Sequence, residues 1–138
     1  MVKLSISIFS LLATAALAAA VPTPNEIFKR DVTCRDDLKA DSLARVDEAV
    51  ECINYLASLG GQDCVATVSG QSFCRRGQTQ ITGLSRLGGG QNAVSSCQDV
   101  ARGAGQILDR CTRGDGTVRG ANEAWGNGNL LVDIRRVP

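Results

Sequence analysis

The 138-residue chain has no histidine, one methionine, one tryptophan, one tyrosine and three phenylalanines. Without histidine, Ser-His-Asp and Cys-His nucleophilic chemistry cannot be assembled. Few aromatics mean few stacking platforms of the kind that single-stranded nucleic acids and sugars use. There is no Asn-x-Ser/Thr acceptor for N-glycosylation. The glycines at 88–90 are not followed by Lys-Ser/Thr, so no phosphate loop is present. Beyond the first 20 residues, no run is apolar enough to span a bilayer, and no stable membrane insertion is expected.

Those first 20 residues, MVKLSISIFSLLATAALAAA, combine a positive Lys3, an apolar run and small residues at cleavage positions. They read as a signal peptide, with a membrane anchor as the alternative. Residues 21–30, VPTPNEIFKR, hold two of the three prolines and end in the dibasic pair Lys29-Arg30. They read as a pro-segment trimmed at that site, or else as a retained tail. The expected product is a secreted single domain over residues 31–138. Losing residues 1–30 removes three of 15 basic and one of 14 acidic residues, which leaves 12 against 13 and a net charge of −1. A chain so nearly neutral gains little general attraction to phosphate, so no nucleic-acid partner is expected.

All six cysteines, Cys34, Cys52, Cys64, Cys74, Cys97 and Cys111, follow Arg30. An even number in a short secreted chain implies three disulfides with 15 possible pairings. Metal binding fits poorly, since there is no Cys-x-x-Cys pair and no histidine; neither a metal nor a cofactor is expected. Element order suggests one pairing, Cys74–Cys97, joining a strand through a loop to a helix start.

Residues 41–61 carry helical periodicity, with Leu43, Val46, Val50, Ile53 and Ala57 as a stripe widened by Ala49 and Leu56. Asp41 is placed to cap this helix and Gly60-Gly61 to end it. A second helix is expected over 95–111, with Ser96 and Asp99 spaced as a capping box. Gly103 and Gly105 there suggest close approach to another element. Short β-rich runs near 64–68, 72–75, 80–84 and 117–121 read as strands. The final run alternates: Leu130, Val132 and Ile134 share one face, Leu131, Asp133 and Arg135 the other, after a turn at 126–129. This order predicts an α+β two-layer sandwich, two helices on a four- to five-stranded antiparallel sheet, stabilised by disulfides.

Site candidates are few. The carboxylate pairs Asp36-Asp37 and Asp47-Glu48 read as solvated surface charge, and the chain is not expected to be an enzyme. Arg75-Arg76 reads as a charged edge-strand pair, or else as a basic contact patch or a second processing site. Two loops are the binding candidates: 86–93 with Arg86, and 122–129 with Trp125, Asn127 and Asn129. Trp125 itself reads first as a plug of core or hairpin, second as a ligand platform.

The helix ending in Gly-Gly, the strands DCVATV and SFCRRG, the helix SSCQDVARGAGQILDRC and the closing GTVRGANEAWGNGNLLVDI together resemble the fungal small secreted cysteine-rich proteins, in particular the KP4-like killer toxins. The resemblance spans about residues 34–136. It implies a compact α/β sandwich that blocks growth of competing cells or acts on a host. Those toxins carry more cysteines and a basic surface, and their activity is tied to an exposed lysine. Lys39, the one lysine after Arg30, has no motif to align it, so no functional residue is carried over. The expected protein is a non-enzymatic, monomeric toxin- or effector-like binder of a protein or cell-surface target. The alternatives are a cell-wall or carbohydrate-binding module and a protease inhibitor presenting Arg75 or Arg86.

Overall fold

The computed structural model describes residues 32–35, 38–39 and 42–138. The expected signal peptide, the pro-segment with Lys29 and Arg30, the Asp36-Asp37 pair and the Asp41 cap lie outside them. The chain runs β1 (Thr33–Cys34), β2 (Ala44–Arg45), α1 (Val46–Ser58), β3 (Asp63–Ala66), β4 (Gln71–Arg76) and β5 (Thr79–Ser85). It continues through β6 (Ala93–Ser96), α2 (Cys97–Cys111), β7 (Thr117–Val118), β8 (Gly120–Ala124) and β9 (Asn127–Arg136). An antiparallel sheet in the order β1-β8-β9-β5-β4 forms one layer, and β2-β7 and β3-β6 are small ribbons beside it. Both helices pack on one face of this sheet and against each other. The predicted two-layer sandwich is the fold.

The alternation of β9 sets the layering. Leu130, Val132 and Ile134 are wholly buried beneath the helices, with Ile81 of β5 beside them. From α2 come Val100, Ala104 and Ile107; from α1 come Ala49, Cys52 and Leu56. The buried stripe of α1 is therefore rotated from the expected one: Val50 is exposed and Ile53 only half-buried. Cys52, bonded to Cys74 of β4, draws the Ala49–Cys52–Leu56 side onto the sheet.

The helix also starts later than expected, because residues 44–45 pair with β7 first. The Arg45 N–H donates to Thr79 Oγ1 (2.9 Å) and the Val46 N–H to the Gly116 carbonyl (2.9 Å), so neighbouring strands take up donors at this end. At the other end, Gly60 (φ +59°) turns the chain, as the Gly-Gly pair suggested. In α2, Ser96 Oγ accepts from the Asp99 N–H at 3.2 Å, as the capping-box spacing predicted.

The disulfides are Cys34–Cys111, Cys52–Cys74 and Cys64–Cys97. The Cys74–Cys97 expectation is incorrect. Residues 93–96, assigned to loop and helix start, instead form β6 and pair with β3, which puts Cys97 beside Cys64. Cys74 sits on β4 and is bonded to Cys52 of α1.

Of the two glycines in α2, one is used for close approach. A Cβ at Gly103 would lie 2.5 Å from the Glu123 carbonyl oxygen, and the Gly103 carbonyl accepts from Nδ2 of the fully buried Asn122 (3.1 Å). A Cβ at Gly105 meets nothing within 4 Å. Gly103→Ala is expected to destabilise by roughly 1–3 kcal/mol through overpacking. Gly105→Ala is expected to stabilise by about 0.5–1 kcal/mol through helix propensity. Urea midpoints of the two variants should move in opposite directions; a shared direction would contradict this packing.

Candidate functional site

The structure brings the two predicted loops together at one end of the sheet. The Arg86 N–H donates to the Asn129 carbonyl (2.8 Å), and Arg86 Nη1 reaches Glu123 Oε2 (3.2 Å) and the Gly128 carbonyl (3.3 Å). Asn127 Nδ2 donates to the Val94 carbonyl (3.0 Å) and Ser95 Oγ (2.8 Å), while its Oδ1 accepts from the Asn129 N–H (3.0 Å). Asn127 thus fastens the hairpin to β6, with its amide already occupied.

The hairpin turn is Trp125-Gly126 rather than 126–129, since Ala124 pairs with Asn127 and Gly126 has φ +76°. A register shift beyond Glu123 lets β9 begin at Asn127. Trp125 is half-buried and is not part of the core. Its backbone N–H donates to the Asp99 carbonyl (3.0 Å), and the Arg102 guanidinium carbon lies 5.9 Å from its ring centre, within cation–π range. Gly105, Gln106 and Asp109 complete an open cleft beside the ring.

Arg75 and Arg76 point to opposite faces of β4. Arg76 lies over Tyr55 at 5.1 Å from the ring centre and donates to the Arg75 carbonyl (3.0 Å). Arg75 is paired in register with Gln80 and is exposed on the sheet face that no helix covers. It sits in a strand, not in a projecting loop.

That open face holds the grouping the sequence did not disclose. Register places Arg75, Gln80 and Arg135 in one row across β4, β5 and β9. Gly120 pairs with both Ile134 and Cys34, so the row continues to Arg119 and Arg35, whose backbones are linked by a 3.0 Å hydrogen bond from Arg35 N–H to the Arg119 carbonyl. The next row outward is Ser72, Thr82, Asp133 and Ala121. Between β4 and β9 the face dips into a shallow cleft of about 280 Å³, with Gln71, Ser72, Gln80 and Thr82 supplying polar walls and Leu84 and Leu131 an apolar one.

Asp133 borders this cleft with its side chain 23 % exposed. Its Oδ1 is 3.8 Å from Arg119 Nε and its Oδ2 is 4.0 Å from Arg135 Nε, distances of ion pairing rather than hydrogen bonding. Oδ1 has no hydrogen-bond partner. Burial raises the Asp133 carboxyl above its usual value, against the opposing pull of Arg135, Arg119 and Arg35. Arg119 is held below its usual value by burial, with the positive charge of Arg135 and Arg35 adding to this and Asp133 opposing it.

Residues 29–136 match the family model described as Domain of unknown function (DUF8794). The chain belongs to this family. The match takes in all six cysteines and all of the sheet, so the open face is part of the DUF8794 domain itself. No curated protein and no solved structure matches the chain. Among the described residues of this domain, no three His, Cys, Asp or Glu side chains gather as a metal site, and no helix is long and apolar enough to cross a membrane.

The raised Asp133 value has a signed consequence for stability. The folded state binds this proton more tightly than the unfolded chain does. The resulting stabilisation is complete below the ordinary aspartate value of 3.8 and is lost as pH rises through the raised folded value. Wild type should therefore lose stability relative to Asp133→Asn as pH rises through that window. Urea midpoints of both proteins at several pH values test this, and a constant or widening wild-type advantage would contradict it.

Proposed function

We propose that this protein is a secreted, non-enzymatic toxin- or effector-like protein that acts by binding a target on a competing microbe or in a host. The observation that carries the reading is the sheet with one face covered by helices and one face open. Its open face presents a polar cleft, a recessed carboxylate and a row of guanidiniums, with Arg75 and Arg135 on strands and Arg119 and Arg35 directly flanking them. Sites built on strands hold their geometry better than sites on loops. The leader-like first 20 residues, the dibasic pair and the likeness to KP4-like killer toxins support the secreted, antagonistic setting. The disulfides among the described residues would preserve this surface where proteases are present.

A cell-wall or carbohydrate-binding role is the second reading. It is favoured by the amide and hydroxyl walls formed by Gln71, Ser72, Gln80 and Thr82, which match the hydroxyls of a sugar. Trp125, the ligand-platform candidate, has Arg102 beside its ring.

Purified, folded protein applied at micromolar dose to competing fungi and to plant tissue is expected to slow growth or provoke a tissue response. Thr82→Trp, which fills the open cleft with a strand-compatible residue, should abolish that response while leaving the unfolding free energy from urea titration within about 1 kcal/mol of wild type. Inactivity of the folded wild type on both, or undiminished activity of Thr82→Trp, would overturn the reading.

A further inference from the structure

We infer that the open face of the sheet is a binding surface for an acidic polysaccharide, a linear glycan bearing carboxylates along its length, with Arg75, Arg135, Arg119 and Arg35 as the residues that engage them. This rests on the reading that the open face is the recognition surface, and adds the chemistry of what it recognises.

The row itself is the first ground. Neighbouring strands lie about 4.8 Å apart, so Arg135, Arg119 and Arg35 stand side by side at that spacing, with Arg75 two strands beyond Arg135. Like charges directly opposite one another on a sheet face are destabilising. Arg119 is also largely recessed, its side chain only 17 % exposed. Asp133 offsets Arg119 and Arg135 at 3.8 and 4.0 Å, and a row with this share of guanidiniums suits an anionic ligand. Every residue of the row is arginine or glutamine. Guanidinium is the cation whose planar fork matches a carboxylate with two parallel hydrogen bonds.

The second ground separates a glycan from other polyanions. A nucleic acid is held by phosphate attraction and, when single-stranded, by stacking. Tyr55, Phe73 and Trp125, the aromatics among the described residues, all lie away from this row. Tyr55 and Phe73 border the groove between α1 and β4, and Trp125 lies against α2 at the hairpin end. The walls beside the row are hydroxyl and amide, from Ser72, Thr82, Gln71 and Gln80. A polyhydroxylated anion suits this mixture. Its carboxylates meet the arginines, and its hydroxyls meet Thr82, Ser72 and Gln80.

The third ground is charge segregation. The first turn of α1, in the other layer, carries Asp47 and Glu48, Glu51 follows one turn on, and the helix has no basic residue. An anionic chain is thereby favoured on the sheet over α1, although the expected net charge of residues 31–138 is close to zero.

The test uses titration calorimetry of the folded protein with oligogalacturonate, a neutral glucan oligomer and single-stranded DNA at fixed ionic strength. Binding of oligogalacturonate and not of the glucan is expected, weakening as salt rises. Arg119→Gln should lower affinity about tenfold, as loss of one charge-assisted contact implies, and the Arg119→Gln/Arg135→Gln pair should lower it further. Arg110→Gln on α2 should leave it unchanged. Urea midpoints show whether each variant is folded, since Arg119→Gln and Arg135→Gln also remove an ion-pair partner of Asp133. Arg75→Gln, at the exposed end of the row, gives an independent variant with the same expected direction. Equal affinity in the row variants, absence of oligogalacturonate binding, or preference for DNA would overturn the proposal. If Thr82→Trp still abolishes biological activity while no acidic glycan binds, the ligand class fails and the recognition face stands.

Discussion

Each of the three disulfides joins a helix to a strand. Cys52 ties α1 to β4, Cys97 ties the start of α2 to β3, and Cys111 ties its end to β1. A domain of about a hundred residues has a small core, and here many of its buried residues are alanine, valine or half-cystine rather than large aliphatics. Each cross-link stabilises by roughly 2–4 kcal/mol, chiefly by restricting the unfolded chain. Together they rival the whole net stability of an ordinary domain of this size. With both helices held to one side, the sheet needs no third layer, and its other face is left to water.

That face can then carry groups that a buried face could not tolerate. Three arginines converge on Asp133, which is itself recessed enough for burial to oppose its ionisation. The contrast with the inner face of the same strand is sharp: Val132 and Ile134, adjacent in sequence to Asp133, are wholly buried. Period-two alternation places chemistry and core on opposite sides of a single ten-residue strand. The hairpin end, by contrast, is fastened by its own polar groups. Asn127 and the Trp125 N–H bond inward to β6 and α2, and this holds the β8–β9 register from which the arginine row follows.

The parts of the fold legible in the sequence were those with strong local periodicity. The alternation after Asn129, the two amphipathic helices and the Ser96 cap are each written in a few neighbouring residues. The two-residue strands β1 and β2 were not legible, because they exist only through partners far along the chain. Missing β6 also obscured the Cys64–Cys97 bond, since pairing of 93–96 with 63–66 is what brings those sulfurs together. Trp125 drew attention as the only tryptophan, yet its surroundings are set by α2, 23 to 26 residues earlier at Arg102 and Asp99. The arginine row was invisible for the same reason. Arg35, Arg75, Arg119 and Arg135 share no motif and become neighbours only when the register of five strands is known. A basic cluster of this kind leaves no trace in net charge when acidic residues elsewhere cancel it.

The central claim is that the helix-free face of this sheet is where the protein meets its partner. Mapping amide chemical-shift changes on the isotope-labelled protein as oligogalacturonate is added tests it most directly. The account predicts changes concentrated at Arg35, Arg75, Gln80, Thr82, Arg119, Asp133 and Arg135, with α1 and α2 essentially still. Changes centred on the helices, or on the Trp125 cleft with the arginine row unmoved, would contradict it.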